Sequence, residues 1–574
     1  MVEFVMNEMV RLDGLSNADY NCKLARVKSI LNRTNGRHLV IVEEGEVSPQ
    51  LRRDIHIKPE KMRHVCNHCH MASEEKLQKC NRCRVVRYCN KDCQRNDWPS
   101  HKIQCSEYGI NREIMKKPLF EALRCRDLTE VQRLVEQGVD VNNTVGNCAF
   151  TPVRIAADIG HLAIVRYLVQ QGADINKTDS DVTTPLWIAA RNGDLPVVQY
   201  LVQQGADKEK ADTDGTTPLA IAAENGHLSV VQYFVEQGAD MNKAKTDGAT
   251  PLFVAAYKGR LSVLQYLVEQ GADKDKATED GMTPLFVSAQ QGLMSAVQYL
   301  VQQGADKHKA DNGINCSTPI WIAASNGYLS VVRYLAQQGF AKEKASKDGS
   351  TPVYVACCYG HLSVVQYLIQ QGADKKKPRD NGTTPLIIAA EKGHLPVLQF
   401  LMQQGLDKDI NKVNNNGCSP LYMASQNGHL EVVQFLARCG ADMNMAAMGG
   451  QTPLIAAAHY GHLSMVKFLV QQGVDINKAK SDGATPLIVA ALDDRLPILQ
   501  YLVEQGADMN KCSRFGTTPL IIAAEHGHME MVQCLVQHGS DKDKTDLNGI
   551  TPLFKALANG HREVANYLRE QRNV

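Results

Sequence analysis

The chain has 574 residues, 44% of them hydrophobic and 6% aromatic, with 63 Lys and Arg set against 62 Asp and Glu. A formal charge of +1 excludes any global electrostatic case for nucleic acid or for an anionic membrane surface. No run of 18 apolar residues occurs, and the opening MVEFVMNEMVRLDG lacks the apolar core of a secretory leader, so a cytoplasmic or nuclear protein is expected, neither secreted nor membrane-bound.

Residues 1–60 alternate apolar and polar side chains in short runs, Met9–Leu12, Leu24–Leu31, His38–Val42 and Ile55–Ile57. Asp13-Gly14, Asn35-Gly36 and Glu44-Gly45 supply turn signals between them. This predicts a small β-rich, barrel-like segment. The strings VRLDGLSNADYN, KLARV, NGRHLVIV and IKPEKM resemble barrels of the Src-homology-3 kind, which implies a stabilising cap or a peptide-binding module.

Residues 64–105 carry the sharpest chemical signal. Seven of the 17 cysteines fall here, as Cys66-x2-Cys69, Cys80-x2-Cys83, Cys89-x3-Cys93 and His101-x3-Cys105. Eight soft donors make two complete tetrahedral sets with none left over, which describes two structural Zn2+ ions, since a catalytic zinc keeps one position open for water. Seven thiols with one imidazole do not fit a disulfide framework. A module of this size buries too little apolar surface to fold unaided, whereas structural zinc binding is worth roughly 10–16 kcal/mol.

The flanking RYC (Arg87–Cys89) and CQRNDWPSHKIQC (Cys93–Cys105) resemble the MYND-type zinc finger. The resemblance implies interleaved ligation, one zinc held by Cys66, Cys69, Cys89 and Cys93 and the other by Cys80, Cys83, His101 and Cys105. It also implies a shallow groove for a proline-containing peptide, with Gln94 and Trp98, four apart on one helix face, as the groove residues. MYND fingers occur in protein methyltransferases too, but the sequence of that catalytic domain is absent here. From Lys61 to Cys105 there are ten Lys and Arg against four Asp and Glu. Seven thiolates and two zincs reduce that excess to about +3, a mild basic face. A chromatin- or nucleic-acid-associated regulator using this finger and the N-terminal barrel is therefore the alternative function, although nucleic acid calls for a larger, clustered excess.

Residues 112–574 repeat. A Thr-Pro or Ser-Pro recurs with its Pro at 152, 185, 218, 251, 284, 319, 352, 385, 420, 453, 486, 519 and 552, every step being 33 except two of 35. In the unit Asp214–Thr246, Thr217 caps a helix that begins at Pro218, where the missing N–H costs nothing. Gly226 permits the positive φ that ends this helix. Leu228, Val231, Phe234 and Val235 give a second helix its apolar face. The period, with TPL, AA, G and GAD at set offsets, resembles the ankyrin repeat. With the degenerate first unit Lys117–Asn142, the resemblance implies a mainly α solenoid of about fourteen repeats whose concave face binds a protein partner.

Fixed positions serve folding, and outward positions that differ between repeats are free to recognise something. The pair before each first-helix Gly varies, from Arg191-Asn192 to Glu525-His526, and Tyr257, Tyr359 and Tyr460 are the expected anchors. The position after TPL, usually His in ankyrins, is apolar or aromatic here (Trp187, Phe253, Trp321, Tyr354, Ile387), so apolar packing is expected to replace the turn network. Asp494 stands where other repeats have Gly and marks a local weak point. Two-residue insertions near Asn312–Cys316 and Asn411–Cys418 are expected to lengthen fingers. Lys555, Arg562, Glu563, Arg569, Glu570 and Arg572 predict a polar C-terminal cap, and Lys375-Lys376-Lys377 is the basic run to test for an anionic partner. The recurrent His of GHL (His161, His227, His361, His394, His462) belongs to repeat architecture. With no phosphate loop, nucleophile motif or open metal site, the reading is a monomeric, non-enzymatic protein–protein interaction adaptor.

Overall fold

The computed structural model describes residues 118–144, 149–307, 309 and 317–571, together with the backbone of strands at 27–34, 37–42, 78–79 and 87–88. Strands β1 (Val27–Thr34) and β2 (Arg37–Val42) pair antiparallel with Thr34 opposite Arg37, so only Asn35-Gly36 separates them. Asn-Gly tolerates the positive φ that a two-residue hairpin demands. The remainder of the expected barrel lies outside the described residues. A second ladder joins β3 (Gln78–Lys79) to β4 (Arg87–Tyr88).

The rest of the described chain is fourteen pairs of α-helices, from Pro118–Arg124 with Leu128–Glu136 to Pro552–Ala558 with Arg562–Glu570. The expected mainly α class and repeat number are therefore observed. The pairs belong to two compact units, Met1–Pro218 and Leu219–Val574. Among the described residues no helix is long and apolar enough to cross a membrane.

Each first helix starts as its sequence requires. Thr250, Thr384 and Ser419 accept a hydrogen bond from the amide three residues on, with Pro as the first helical residue. Such a cap is worth about 1 kcal/mol. Paired alanines such as Ala222-Ala223 and Ala389-Ala390 are fully buried where helices touch. In the second helix of the unit at 214–246, Val230, Val231 and Phe234 are the buried residues, whereas Leu228 and Val235 are half-buried. Val231 and Phe234 are thus buried as expected, and Val230 joins them.

Repeats are tied to one another by polar groups at fixed offsets. The imidazole Nε2 of His361, His394, His429, His462 and His561 meets the carbonyl oxygen of Ser325, Cys358, Glu391, Gln426 and Glu525, respectively, at 2.9–3.0 Å. Each ring lies on the glycine that ends the preceding repeat's first helix. At Gly360, with φ 77°, an added Cβ would stand 2.6 Å from His394 Nδ1. Burial of the His394 ring favours its neutral form and lowers its pKa. Arg260 and Arg495 substitute for the imidazole, each donating through Nε to the corresponding carbonyl, of Glu224 and His459.

The fingers are tied in two further ways. Their tips bond backbone to backbone, as in Glu279 N–H to Asp247 O (3.0 Å), Asp380 N–H to Asp348 O (3.1 Å) and Ser481 N–H to Gly449 O (2.7 Å). At the position after TPL the network is not purely apolar as expected. Trp187 Nε1 donates to Thr216 O and Trp321 Nε1 to Ser350 O, both at 2.9 Å, and Tyr422 Oη donates to Gln451 Oε1 at 2.7 Å. Ile387, Ile455, Ile488 and Ile521, without a polar handle, are simply buried. Burial holds the Tyr354 and Tyr422 phenols neutral, raising each pKa to about 12.

Three expectations change. The insertion near Asn411–Cys418 leaves the fingertip alone: Asn415 N–H still reaches Asn381 O at 3.0 Å. The extra length is wound into a π-helical turn, Met402–Leu406, and a 3-10 turn, Asp407–Asp409, with Leu406 and Ile410 buried beneath. The other insertion, at 312–316, lies outside the described residues. Among the residues of the C-terminal cap, Lys555 pairs with Glu525 at 3.1 Å, and Phe554 and Leu557 beside it are exposed, so this end is not uniformly polar. Lys375 donates to the Gln404 carbonyl and Lys376 pairs with Asp409 at 2.6 Å, so two of the three basic side chains at 375–377 serve the stack.

In the first unit, Arg154 occupies the position after Thr-Pro-Val and is buried under the Phe150 ring, its guanidinium carbon 3.9 Å from the ring centre. Its Nε meets Asp179 Oδ2 at 2.8 Å, and Asp179 also accepts from the Thr183 amide (2.8 Å) and hydroxyl (2.6 Å). Removing Asp179 leaves the buried Arg154 with only the longer pair to Asp158 at 3.9 Å, so Asp179→Ala is expected to destabilise residues 152–203 by about 3 kcal/mol, read as faster native-state amide exchange over that stretch.

Candidate metal centre and binding face

All eight expected zinc ligands, Cys66, Cys69, Cys80, Cys83, Cys89, Cys93, His101 and Cys105, lie outside the described residues, as do Gln94 and Trp98. Gln78 is opposite Tyr88 and Lys79 opposite Arg87. The donor set, seven thiols and one imidazole, is soft and matches Zn2+ in type and number. Among the described residues no group of three or more His, Cys, Asp or Glu could hold a metal ion. The thiols there are dispersed, and burial pushes those of Cys357, Cys418 and Cys534 up, away from the reactive thiolate.

The variable pairs sit at the ends of the first helices, beside the histidine joints. Tyr257, Tyr359 and Tyr460 are 46%, 58% and 48% exposed, which makes them three of the large apolar side chains left open to solvent. Their orientation follows from the joints. Tyr359 stacks on His361 with ring centres 6.3 Å apart, and Tyr460 stacks on His462 at 6.4 Å. Tyr460 also has the edge of His459 at 4.7 Å and accepts a hydrogen bond from Gln426 Nε2 at 3.3 Å. Lys258 Nζ lies 5.4 Å from the centre of the Tyr257 ring and pairs with Glu224 at 3.3 Å. A ring already held by its neighbours loses little side-chain freedom when a partner covers it. The three tyrosines are not brought together: two repeats intervene between each and the next.

Other pairs are committed within the fold. Arg191 and Asn192 both bond Asp158, at 2.9–3.0 Å, His459 meets Asp493 at 2.6 Å, and Glu525 meets Lys555 at 3.1 Å. Sequence reasoning missed Leu492, 49% exposed, because its repeat reads LDDR and lacks the glycine that identifies the pair. It also missed Met448, Phe515 and Leu547, all at least 66% exposed on fingertips where most repeats carry polar residues. The available signal was an apolar side chain at a position that most other repeats fill with a polar one.

Comparison with known proteins places these features in families. The family description "Ankyrin repeats (3 copies)" matches seven overlapping segments that together run over residues 100–574, and "MYND finger" matches residues 66–105. An N-lysine methyltransferase SMYD2-A of Xenopus laevis is 50% identical over 50 residues, 8% of this chain and 12% of that protein. The N-lysine methyltransferase SMYD2 of Bos taurus is 55% identical over 42 residues, covering 7% and 10%, and SET domain-containing protein 14 of Caenorhabditis elegans is 36% identical over 59 residues, covering 10% and 14%. The chain spans only about a tenth of the length of these relatives, over the finger region, so their catalytic parts are not matched. The finger is a zinc-binding module, and finger and repeats alike are protein-interaction modules.

If Tyr359 belongs to a surface and not to the architecture, Tyr359→Ala leaves the urea midpoint of the full chain unchanged, within about 0.5 kcal/mol. A larger loss would show that its stacking on His361 supports the joint.

Proposed function

The chain belongs to the ankyrin-repeat family, and from that membership we propose that it works as a non-enzymatic adaptor, holding a proline-containing peptide at its finger and a protein partner on the inner face of its repeats. The observation that carries the reading is a division of labour among the polar groups. The recurrent histidines, the lysines at 375 and 376 and the backbone of the fingertips are consumed in tying repeats together. Tyr257, Tyr359 and Tyr460 vary between repeats and remain exposed, and aromatic side chains in such positions dominate binding energy at interfaces.

The finger is proposed to hold two zinc ions, one through Cys66, Cys69, Cys89 and Cys93 and the other through Cys80, Cys83, His101 and Cys105. The donor set, seven thiols and one imidazole in four close pairs, supports two closed four-donor sites, and the interleaved partnering is the one that the resemblance to the MYND finger implies. The metals supply folding energy and no chemistry, since closed four-donor sites offer no position for water. Gln94 and Trp98 are proposed to line the peptide groove.

Two experiments test the finger. Metal analysis of the purified chain is expected to give two zincs per molecule, and Cys66→Ala to abolish the folding of residues 64–105 while far-UV helicity stays near that of the parent; one zinc or none would sink the ligand assignment. Trp98→Ala is expected to weaken binding of a Pro-x-Leu-x-Pro peptide by about tenfold or more with both zincs retained. Loss of zinc in that variant would instead place Trp98 in the core of the finger.

A further inference from the structure

The junctions between repeats are not all equal. In five of them the imidazole of the GH pair reaches a carbonyl of the preceding repeat, and in each the residue it rests on is a glycine with φ between 75° and 78° (Gly327, Gly360, Gly393, Gly428 and Gly527). Two junctions have another residue at the glycine position, Arg126 (φ 60°) and Asp494 (φ 55°). In both, the following imidazole is placed differently.

At the first exception His161 turns back and caps its own helix, Nδ1 accepting from the Ile164 amide at 3.3 Å. At the second, His528 finds no such replacement. No hydrogen bond joins it to the Leu492 carbonyl, which holds the place of the usual acceptor, and its Nδ1 is buried without a hydrogen-bond partner. The nearest acidic oxygen, Asp494 Oδ1, is 3.6 Å away, beyond hydrogen-bonding distance. The groups around it offer no remedy: His526 lies flat against the ring at 5.6 Å with its own Nδ1 bonded to Ile522 O. Asp493 is engaged with His459, Arg495 with the His459 carbonyl and Glu525 with His561 and Lys555. The cause is steric: a Cβ at this position occupies the space that the glycines leave for the imidazole, as the 2.4–2.7 Å approaches at the regular junctions make plain.

We propose that the Asp494–His528 junction is a built-in seam, at which the last two repeats, residues 519–570, open from the repeat at 486–504 as a cooperative unit while the rest of the second unit stays closed. Three terms act together there: a tie present at the regular junctions is missing, a buried ring nitrogen is unpaired, and a non-glycine residue holds a left-handed conformation. The tie is also absent where Leu293 lies on Gly259 and Tyr328 on Gly292, but there an uncharged side chain fills the seat above a glycine and no ring nitrogen is left unpaired. In a stack where each repeat contacts only its neighbours, stability is a sum over junctions, so a junction that combines all three terms is where the array parts. A seam also regulates binding, because a partner that contacts both Leu492 on one side and His526 on the other must first hold the junction closed.

Amide exchange of the full chain, followed by mass spectrometry, tests the seam. Residues 519–570 are expected to exchange together and at least about tenfold faster than residues 352–470. Asp494→Gly is expected to slow exchange over 519–570 by about tenfold and to leave 352–470 unchanged. Because terminal repeats fray in any array, the reciprocal variant is decisive: Gly393→Asp is expected to install a second seam, speeding exchange downstream of residue 393. Unchanged exchange over 519–570 in Asp494→Gly would mean that the Asp494–His528 pair holds the junction as firmly as the regular bond does. Unchanged exchange in Gly393→Asp would mean that glycine at the joint is dispensable. Either result overturns the proposal.

Discussion

An imidazole lying on a glycine, with its Nε2 on a carbonyl of the preceding repeat, fixes the register of stacking at five junctions of the second unit. A repeat has two helices and more apolar surface than it can cover alone, so its stability is borrowed from its neighbours. Apolar contacts alone, through residues such as Leu386, Leu398 and Val397, would tolerate sliding or rotation of one repeat on the next. A hydrogen bond to a single carbonyl does not, because it is directional and its loss leaves buried groups unpaired. The glycine is required twice over, once for its positive φ at the helix end and once because any side chain would fill the seat of the ring.

Much of the fold was legible because the chain repeats. The 33-residue period, the Thr-Pro caps and the glycines are local signals, and helices form where they say. What stayed hidden was partnership over distance. His394 reads as a regular feature of GHL, but its acceptor, the Cys358 carbonyl, is 36 residues away and backbone groups leave no mark in a sequence. The lysines at 375 and 376 look like a solvated basic run for the same reason, since their partners lie one repeat further on. Val230 is buried beside the expected Val231 and Phe234 because a helix in a stack is covered on more than one side, so a single apolar stripe is an incomplete guide to its buried face.

The metal centre presents the opposite case. Its ligands were read from spacing and donor chemistry, eight soft side chains grouped in four pairs, and the matched family covers the same residues, 66–105. The binding face was legible only in part. Exposed aromatic positions could be picked out because they vary where the scaffold does not, but Leu492 escaped by sitting in a repeat whose glycine is replaced, and the fingertips at Met448, Phe515 and Leu547 escaped because a turn was assumed to be polar. Irregular repeats are where comparison between repeats loses its reference.

The two residues wound into Met402–Asp409 have a consequence for the spacing of the whole edge. By being stored at the base of the finger they leave the tip-to-tip contacts on either side intact, Asn415 on Asn381 and Met448 on Asn416. The row of tips therefore keeps its pitch across a change of chain length, like a rule whose graduations stay even where the wood behind them has been spliced. An extended ligand laid along those tips would meet the same interval before and after the splice, and the period that the sequence breaks at residue 420 is one that the surface does not break at all.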